Sequence, residues 1–390
     1  MDSKVKKYVL PIIMAVYMLG MCIWCMVSPQ KHYSESERRA LAKRPELTWN
    51  AVVSGGYMQS FEAYSLDQFP MRDLFRSVKA VSERYVFHKK DNHQLYLADG
   101  VINKIEYPEN EEMLDYAGDL FEDIYDSYLE SRGIVPYLAI IPDKHYFYGE
   151  ENHSLMMDYD AFEADMQERM PYAEYIDIRS ELVKEDYYAT DSHWKQNRIL
   201  PVAGKLLREM NAEESDIEKS DIEKSDAEET DAVIAATDSY EEKTLDIPFY
   251  GVYYGQAALP VKPDTIQYLT NDELDACTVT ILDEKGETKT TIYNPEKAKQ
   301  KDAYDLFLSG AVPLVTIQNP LTSTERRLII FRDSFASSLA PLLVPGYKEV
   351  VLIDLRYMSS TQLSEYVDFE NADVLFLYST TILNNSKSMK

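Results

Sequence analysis

The sequence predicts an α/β fold with a mainly parallel sheet flanked by helices. Four short apolar runs have the length and composition of buried strands: residues 134–141, 328–331, 349–354 and 373–378. Longer segments with apolar positions at helical spacing stand between such runs, as at residues 113–131 and 195–210. This alternation is typical of a parallel sheet covered by helices on both faces.

The length and charge of the chain limit its class. Its 390 residues, 45% of them hydrophobic, are enough to bury a full core in one large domain or in two. The formal net charge of −27 argues against nucleic acid and against an anionic membrane surface as partners, because both repel an acidic protein. We therefore expect no nucleic-acid partner.

The N-terminal segment, residues 1–28, has the pattern of a transmembrane anchor. Lys4, Lys6 and Lys7 precede an apolar run at residues 8–27, which matches the length of about 20 residues that spans a bilayer. Lysines before such a run stay cytoplasmic, so the rest of the chain is expected on the extracytoplasmic side of the cell membrane. No small-residue cleavage pattern follows, which favours an uncleaved single-pass helix over a removed signal peptide.

Residues 29–105 are predicted to form a polar stem followed by a helical segment. Apolar positions within residues 57–87 recur at near-helical spacing and are interrupted at Pro70. Since the residue before a proline resists helical backbone angles, two helices that meet at Phe69-Pro70 fit the pattern. Residues 106–390 are then expected to form the α/β domain.

An acidic insertion interrupts the α/β pattern at residues 213–237. The pentapeptide Ser-Asp-Ile-Glu-Lys occurs twice in tandem from Ser215 and then degenerates. A period of five fits neither helix nor strand, so a solvated, disordered segment is predicted. A calcium site is the alternative, although the acidic residues lack the glycine turn that such loops use. A small β-rich insertion follows, with a hairpin signal at residues 278–293.

The cysteines predict neither a disulfide nor a metal centre. Cys22 and Cys25 lie in the predicted anchor, which leaves Cys277 as the single thiol beyond it. Three cysteines at these spacings make no zinc site. We expect neither a metal nor another cofactor.

Asp191 and His193 form a candidate catalytic pair within Thr190-Asp191-Ser192-His193-Trp194. Residues two apart point to different faces of a helix, so the pair predicts a loop or an extended segment. There the carboxylate can orient the imidazole and stabilise its protonated form, as general-base catalysis requires. His145, which follows the strand at residues 134–141, is the one serious competitor, and a structural role is the simpler interpretation of it.

Ser334 is the candidate nucleophile that such a pair requires. It follows the apolar run at residues 328–331 and precedes a helical segment, so a sharp strand-to-helix turn is predicted to expose its hydroxyl. Its own amide and the helix N-terminus are placed to stabilise an oxyanion. The structural alternative is a serine that caps the helix. The resulting hypothesis is a catalytic triad of Ser334, His193 and Asp191.

Several short motifs follow one another over most of the chain after the predicted anchor. They are Tyr33-Ser34-Glu35, Leu41-Ala42-Lys43-Arg44-Pro45, Asp67-Gln68-Phe69-Pro70-Met71-Arg72-Asp73, Ile141-Pro142-Asp143-Lys144, Thr190-Asp191-Ser192-His193-Trp194, Asp302-Ala303-Tyr304, Phe307-Leu308-Ser309-Gly310, Asp333-Ser334-Phe335 and Ile353-Asp354-Leu355-Arg356-Tyr357. In this order they resemble the motifs of the DHHW family and of the AlgX/AlgJ-like proteins of alginate acetylation. Their joint order is more specific than any one of them.

The resemblance implies an SGNH-hydrolase-like catalytic domain in which Asp191 and His193 precede the nucleophile Ser334. It further implies a membrane-anchored O-acetyltransferase, or an acetylesterase, that acts on a cell-surface polysaccharide through an acetyl-serine. In the family's transfer systems a multi-span membrane acyltransferase supplies the donor. The resemblance therefore implies such a partner here.

The chain departs from the family pattern near the nucleophile. Ser192 stands where the DHHW pattern has His, Arg332 stands where a Gly-Asp-Ser block has Gly, and no clear Asn block supplies a second oxyanion donor. Arg332, together with Lys144 and Arg356 at strand ends, is a candidate ligand for the oxyanion or a substrate anion. Surface ion pairs are the alternative for Lys144 and Arg356. A non-catalytic polysaccharide-binding or scaffolding protein of the same fold is the alternative function.

Overall fold

The computed structural model describes residues 3–34, 36–212, 239–300 and 302–390. The insertion predicted to be disordered, residues 213–237, lies outside the described residues. The chain divides into two compact units. The first comprises Met1–His93 and Tyr254–Val261, and the second comprises Gln94–Tyr253 and Lys262–Lys390.

The first unit begins with one long helix, Ser3–Val27. Its stretch Tyr8–Val27, with a mean hydropathy of 2.2, is long and apolar enough to cross a membrane, a test that a signal sequence also passes. The remaining described elements at the start of the chain are β1 (Tyr33–Ser34), β2 (Arg39–Ala40) and the helices Trp49–Val53, Gly56–Asp67 and Arg72–Tyr85. The break between the last two helices includes Pro70, as predicted.

The second unit is built around one large sheet. The described strands are β3 (Leu95–Ala98), β4 (Val101–Lys104), β5 (Tyr137–Ile141), β6 (Glu174–Tyr175), β7 (Glu241–Thr244), β8 (Gln267–Thr270), β9 (Thr278–Asp283), β10 (Gly286–Thr290), β11 (Leu314–Gln318), β12 (Arg327–Arg332), β13 (Glu349–Ile353) and β14 (Ala372–Ser379). Among them, β3 pairs with β4 and β7 with β8 in two small antiparallel sheets. The others form one sheet in the order β10-β9-β11-β13-β12-β14-β5-β6.

The large sheet is mostly parallel. Parallel pairing joins β13 to β12, β12 to β14, β14 to β5 and β5 to β6. Strand β11 runs antiparallel to both β13 and β9, and β9 forms the predicted hairpin with β10. The hairpin therefore extends the large sheet and is not part of a separate β-rich insertion. Strand β11, which lies between β9 and β13, was not among the strands predicted from the sequence.

Helices cover both faces of this sheet. Those described in the second unit are Glu111–Ile124, His145–Tyr148, Tyr159–Arg169, Leu200–Glu209, Asp272–Ala276, Pro295–Ala298, Ala336–Leu343, Leu363–Tyr366 and Thr380–Leu383, and Val252–Ala257 begins there. On one face, Ile330 packs in a cluster with residues of Leu200–Glu209 and Ala336–Leu343. On the other, Phe331 packs with residues of Glu111–Ile124 and Tyr159–Arg169. Burial on both faces explains why the parallel strands are continuous apolar runs.

Candidate active site

Ser334 lies in a sharp turn between β12 and the helix Ala336–Leu343, at the carboxyl edge of the parallel strands. The buried carboxylate of Asp333 shapes this turn, because it accepts hydrogen bonds from the amides of Phe335 (2.9 Å) and Ser379 (2.8 Å). These bonds tie the end of β12 to the end of β14. Ser334 itself is half-buried. Ligands of open α/β sheets bind outside this edge, where the turn holds Ser334.

Asp191 and His193 lie in a loop whose ends approach each other as antiparallel backbone. Tyr187 and Trp194 form an isolated bridge, and the amide of Tyr188 donates to the carbonyl of His193 at 3.0 Å. The segment is therefore not helical, as the two-residue spacing predicts. The Asp191 side chain is fully buried, and 12% of the His193 side chain stays exposed. The imidazole thus reaches solvent while its acidic neighbour does not.

The fold brings the three predicted residues into one chain of hydrogen bonds. His193 Nε2 lies 2.7 Å from Ser334 Oγ, a residue 141 positions later, and His193 Nδ1 lies 2.5 Å from Asp191 Oδ1. An ionised carboxylate only accepts, so Nδ1 carries a proton and neutral Nε2 accepts from the hydroxyl. In this arrangement the imidazole can take the Ser334 proton while Asp191 stabilises the charge that results. The three side chains therefore lie in the order Asp191, His193, Ser334 along one line of hydrogen bonds.

Asp191 is held on both carboxylate oxygens. Oδ1 also accepts from the amide of His193 at 3.1 Å, and Oδ2 accepts from the amide of Val252 at 2.8 Å. Gly251, the residue before Val252, lies so close to this loop that a Cβ on it would overlap the Cβ of Asp191 and the carbonyl oxygen of Thr190. Only glycine allows the backbone to approach the carboxylate in this way.

A second carboxylate, Asp264, shapes the start of the same loop. Its Oδ1 accepts from the amide of Ala189 at 2.9 Å, and its Oδ2 accepts from the amide and the hydroxyl of Thr190 at 2.7 and 2.6 Å. Sequence reasoning missed Asp264, Gly251 and Val252. Each acts through a contact with a residue at least 60 positions away, and nothing in the local sequence indicates that contact.

Two aromatic rings fix the imidazole of His193. Tyr304 lies parallel to it, with ring centroids 3.9 Å apart and planes 14° apart, and Phe335 meets it at 4.8 Å. The Tyr304 hydroxyl donates to Ser338 Oγ at 2.8 Å. Burial raises the pKa of Tyr304 well above its usual range, so the phenol stays neutral. Tyr304 was noted only as part of a motif, without a role.

Hydrogen bonds also join the His193 loop to the helix that follows Ser334. Trp194 Nε1 donates to Ser338 Oγ at 2.9 Å, and Gln196 Nε2 donates to the Ser338 carbonyl at 2.8 Å. Both donors belong to fully buried side chains. The His193 imidazole and the Ser334 hydroxyl that faces it are therefore both attached to the same packed helix.

Lys144, predicted as a ligand for an oxyanion or a substrate anion, instead supports the His193 loop from the interior. Its Nζ donates to the carbonyls of Asp191 (2.6 Å) and Tyr188 (2.8 Å), and the Ala189 carbonyl lies at 3.5 Å. Burial lowers the pKa of Lys144 to about 7, while the carboxylates of Asp191 and Asp264 oppose this shift. Because its ammonium group donates its hydrogens to backbone oxygens, Lys144 is not placed to bind an anion.

The two arginines with the same predicted role also have other partners. Arg356 forms a two-point ion pair with fully buried Asp354, at 2.8 and 2.6 Å, so an ion pair is present as in the alternative, but it is not at the surface. Arg332 is completely buried, donates to Ser337 Oγ at 3.1 Å and lies 3.8 Å from Asp354. No described contact brings either guanidinium to Ser334. The oxyanion role predicted for the arginines therefore gains no support.

His145 has the structural role that was expected. It is buried, with Nε2 2.8 Å from the carbonyl of Leu155 and Nδ1 2.8 Å from the hydroxyl of Tyr96. A carbonyl only accepts, so Nε2 carries the proton and Nδ1 accepts from the phenol. Among the described residues, no group of three or more His, Cys, Asp or Glu side chains is arranged to hold a metal ion.

Comparisons with known proteins find likeness in structure only. No protein-family model matches the chain, and no curated protein sequence matches it. The structure of Bacillus cereus PatB1 with a sulfonyl adduct is 18% identical and has a TM-score of 0.55, over 74% of this chain and 95% of that one. A DHHW family protein from Eubacterium siraeum is 17% identical and has a TM-score of 0.53, over 75% of this chain and 93% of that one.

The O-acetyltransferase domain of Pseudomonas putida AlgJ also matches, at 11% identity and a TM-score of 0.42, over 74% of this chain and 92% of that one. A likeness at that level carries no argument here. The predicted resemblance to the DHHW family is confirmed at the level of the fold. This chain shares its α/β fold with PatB1 and with a DHHW family protein.

Proposed function

We propose that this protein is an extracytoplasmic acyl-transfer enzyme in which Ser334 is the nucleophile, His193 the general base and Asp191 the residue that orients it. The observation that carries the proposal is the position of the His193 ring, which lies 2.7 Å from the Ser334 hydroxyl and 2.5 Å from the Asp191 carboxylate. A serine that merely capped its helix would not require a histidine with a buried carboxylate behind it.

The chemistry follows from these contacts. As Ser334 Oγ attacks the acetyl carbonyl of a donor ester, its proton passes to His193 Nε2, and His193 then protonates the departing alcohol. The product is an acetyl ester on Ser334. In the second half, His193 removes a proton from a sugar hydroxyl or from water, which attacks the ester and releases Ser334. A sugar acceptor makes the protein an O-acetyltransferase, and water makes it an acetylesterase.

One hydrogen-bond donor can be assigned to the oxyanion that forms in each half of the reaction. The amide of Phe335 already bonds to Asp333, whereas the amide of Ser334 has no such bond among the described contacts. We assign the Ser334 amide to the developing negative charge, as in other strand-to-helix nucleophile turns.

The substrate class rests on the motif resemblance. We propose a cell-surface polysaccharide as the acceptor, a multi-span membrane acyltransferase as the source of acetyl groups, and the helix containing Tyr8–Val27 as an anchor with a cytoplasmic N-terminus. The sulfonyl adduct of PatB1 supports the choice of probe, because sulfonyl reagents modify activated nucleophiles and PatB1 shares this fold.

The test is covalent capture followed by turnover. The full chain in detergent is treated with an aryl sulfonyl fluoride, the modified residue is mapped by mass spectrometry, and the release of a chromophore from an aryl acetate is measured. We expect modification at Ser334 and turnover that falls by about 10³-fold or more in Ser334→Ala. Ser364→Ala, at an exposed serine, is the matched control and keeps full activity.

Two results would separate the alternatives. Turnover by the wild type that survives in Ser334→Ala places the chemistry at another residue. A chain that folds, resists sulfonylation and shows no turnover and no acetyl-serine favours the non-catalytic polysaccharide-binding or scaffolding protein.

A further inference from the structure

The helices that follow the long N-terminal helix bury almost nothing. Within Trp49–Val53, Gly56–Asp67 and Arg72–Tyr85, the one buried side chain is that of Ala80. Large apolar side chains on and beside these helices are at least 50% exposed: Trp49, Val53, Met58, Leu66, Met71, Leu74, Val78, Tyr85, Val86 and Phe87. Helices with this much exposed apolar surface are typical of segments that contact a second apolar phase.

Hydrogen bonds attach this surface to the end of the apolar helix. The Gln68 side chain accepts from the amide of Lys31 at 2.9 Å and donates to the carbonyl of Lys31 at 2.8 Å. Gln30 Nε2 donates to the Tyr64 hydroxyl at 3.2 Å, and Cys25 Sγ lies 3.9 Å from the Gln68 carbonyl. The turn after Gly56–Asp67 is thus fixed beside the last turn of the helix Ser3–Val27.

Contacts of Trp24 set the depth of this turn. Trp24 lines a cavity of about 490 Å³ together with Phe69, Met71 and Leu74. A helix rises about 1.5 Å per residue, so the 20 residues of Tyr8–Val27 match a hydrocarbon thickness of about 30 Å. Trp24, three residues before the end, then lies about 5 Å inside the boundary. If Tyr8–Val27 spans the bilayer, the residues that share this cavity therefore lie close to that boundary.

The charge of this segment is opposite to that of the whole chain. Residues 28–93 contain eleven Lys and Arg against eight Asp and Glu, a net charge of +3 in a protein of −27. The overall charge argues against an anionic membrane surface, but this argument does not hold for a segment of the other sign. Residues 49–87 themselves contain four basic and four acidic residues, so the basic excess lies on either side of them, at residues 28–48 and 88–93. Exposed apolar side chains flanked by basic residues suit a surface of anionic phospholipids.

We propose that residues 49–87 form a second membrane contact, in which the exposed apolar side chains enter the outer interface of the bilayer and the basic residues that flank this segment meet anionic phospholipid headgroups. The occupant of this surface is lipid. The proposal rests on the anchoring of the helix Ser3–Val27 that is part of the proposed function, and is independent of the chemistry at Ser334.

The test uses the full chain in lipid nanodiscs. Cys22, Cys25 and Cys277 are replaced by Ala, and single cysteines are introduced as Leu74→Cys or Val78→Cys and labelled with an environment-sensitive nitrobenzoxadiazole dye. Glu365→Cys, at an exposed position of the second unit, is the control. Discs contain phosphatidylcholine and phosphatidylglycerol, with or without phosphatidylcholine that carries a doxyl quencher near the headgroup.

The expected result is a blue-shifted emission at positions 74 and 78 that the doxyl lipid quenches, with neither effect at position 365. Discs of phosphatidylcholine alone should give weaker quenching. Labels at 74 and 78 that behave like the label at 365 overturn the proposal. A blue shift without quenching overturns it as well, because the surface is then covered by protein, such as a second copy of this chain. A chain that does not co-elute with discs overturns the anchoring itself, whatever its activity on an aryl acetate.

Discussion

The imidazole of His193 lies face to face with the phenol ring of Tyr304, with 3.9 Å between their centroids and 14° between their planes. The electron-rich face of an aromatic ring attracts a cation, so this contact stabilises the protonated imidazole more than the neutral one. It also fixes the plane in which the ring meets the Ser334 hydroxyl.

Replacing Tyr304 tests this contact. Tyr304→Leu removes the stacked ring and should lower kcat by about 3- to 30-fold, as expected for the loss of about 0.5 to 2 kcal/mol of cation–π stabilisation. The KM should change little. Tyr304→Phe keeps the ring and loses only the bond to Ser338, so it is the matched control and should stay near wild-type activity. Equal losses in the two variants would assign the effect to the hydroxyl.

Asp191→Asn tests the role of the buried carboxylate. The amide cannot accept from His193 Nδ1, the His193 backbone and Val252 as the carboxylate does, and it does not stabilise a charged imidazole. We expect kcat to fall by about 10⁴-fold, the loss known for this change in a serine protease. Turnover of an aryl acetate measures the loss, and a circular dichroism spectrum like that of the wild type shows that the fold remains. Wild-type kcat in this variant would contradict the assignment.

Gly251→Ala tests the close approach of the backbone to Asp191. The new methyl group overlaps the Asp191 side chain and the Thr190 carbonyl, so we expect a loss of about 1 to 3 kcal/mol in the free energy of unfolding, together with reduced activity. Gly204→Ala is the control, because its Cβ would meet nothing closer than Arg208 Nη1 at 3.5 Å. Within the helix Leu200–Glu209 that change should stabilise the protein by about 0.5 to 1 kcal/mol. Urea unfolding distinguishes the two.

Lys144 predicts a pH dependence of stability. In the folded chain its pKa is lowered to about 7, whereas the ordinary value is 10.5. Between these pH values the unfolded state binds more protons, so the free energy of unfolding rises with pH. The unfavourable contribution of the buried charge is complete below pH 7 and disappears toward pH 10.5. Above pH 7 it weakens by up to about 1 kcal/mol per pH unit.

The variant Lys144→Met lacks this titration. The free energy of unfolding of the wild type should therefore rise more steeply between pH 7 and 10 than that of Lys144→Met. Lys297→Met, at an exposed lysine, should follow the wild type. Parallel curves for the wild type and Lys144→Met would show that the ammonium group is not buried as the structure places it.

Features that depend on neighbouring residues could be predicted from the sequence. The strand before Ser334, the turn and the following helix all result from one local pattern, and the observed β12 and Ala336–Leu343 match it. The non-helical Asp191–His193 segment follows from two-residue spacing in the same way. That these two segments contact each other was a hypothesis, which rested on the family resemblance and on the predicted α/β fold.

Features that depend on distant partners could not be predicted. A basic residue at a strand end has the same local pattern whether it faces a cleft or the interior, and only the partners differ. Arg356 binds Asp354, and Lys144 binds carbonyls more than 40 positions later. The interior strand β11 was missed for a similar reason, because its antiparallel partners β9 and β13 lie far from it in the chain, one before it and one after it.

The bonds that converge on Ser338 determine when the His193 loop can reach its final position during synthesis. The loop with His193 is translated early, but Trp194 and Gln196 have their partners on the 338th of 390 residues. Until that helix has been synthesised, the imidazole lacks both the contacts that hold its loop and the hydroxyl that faces it.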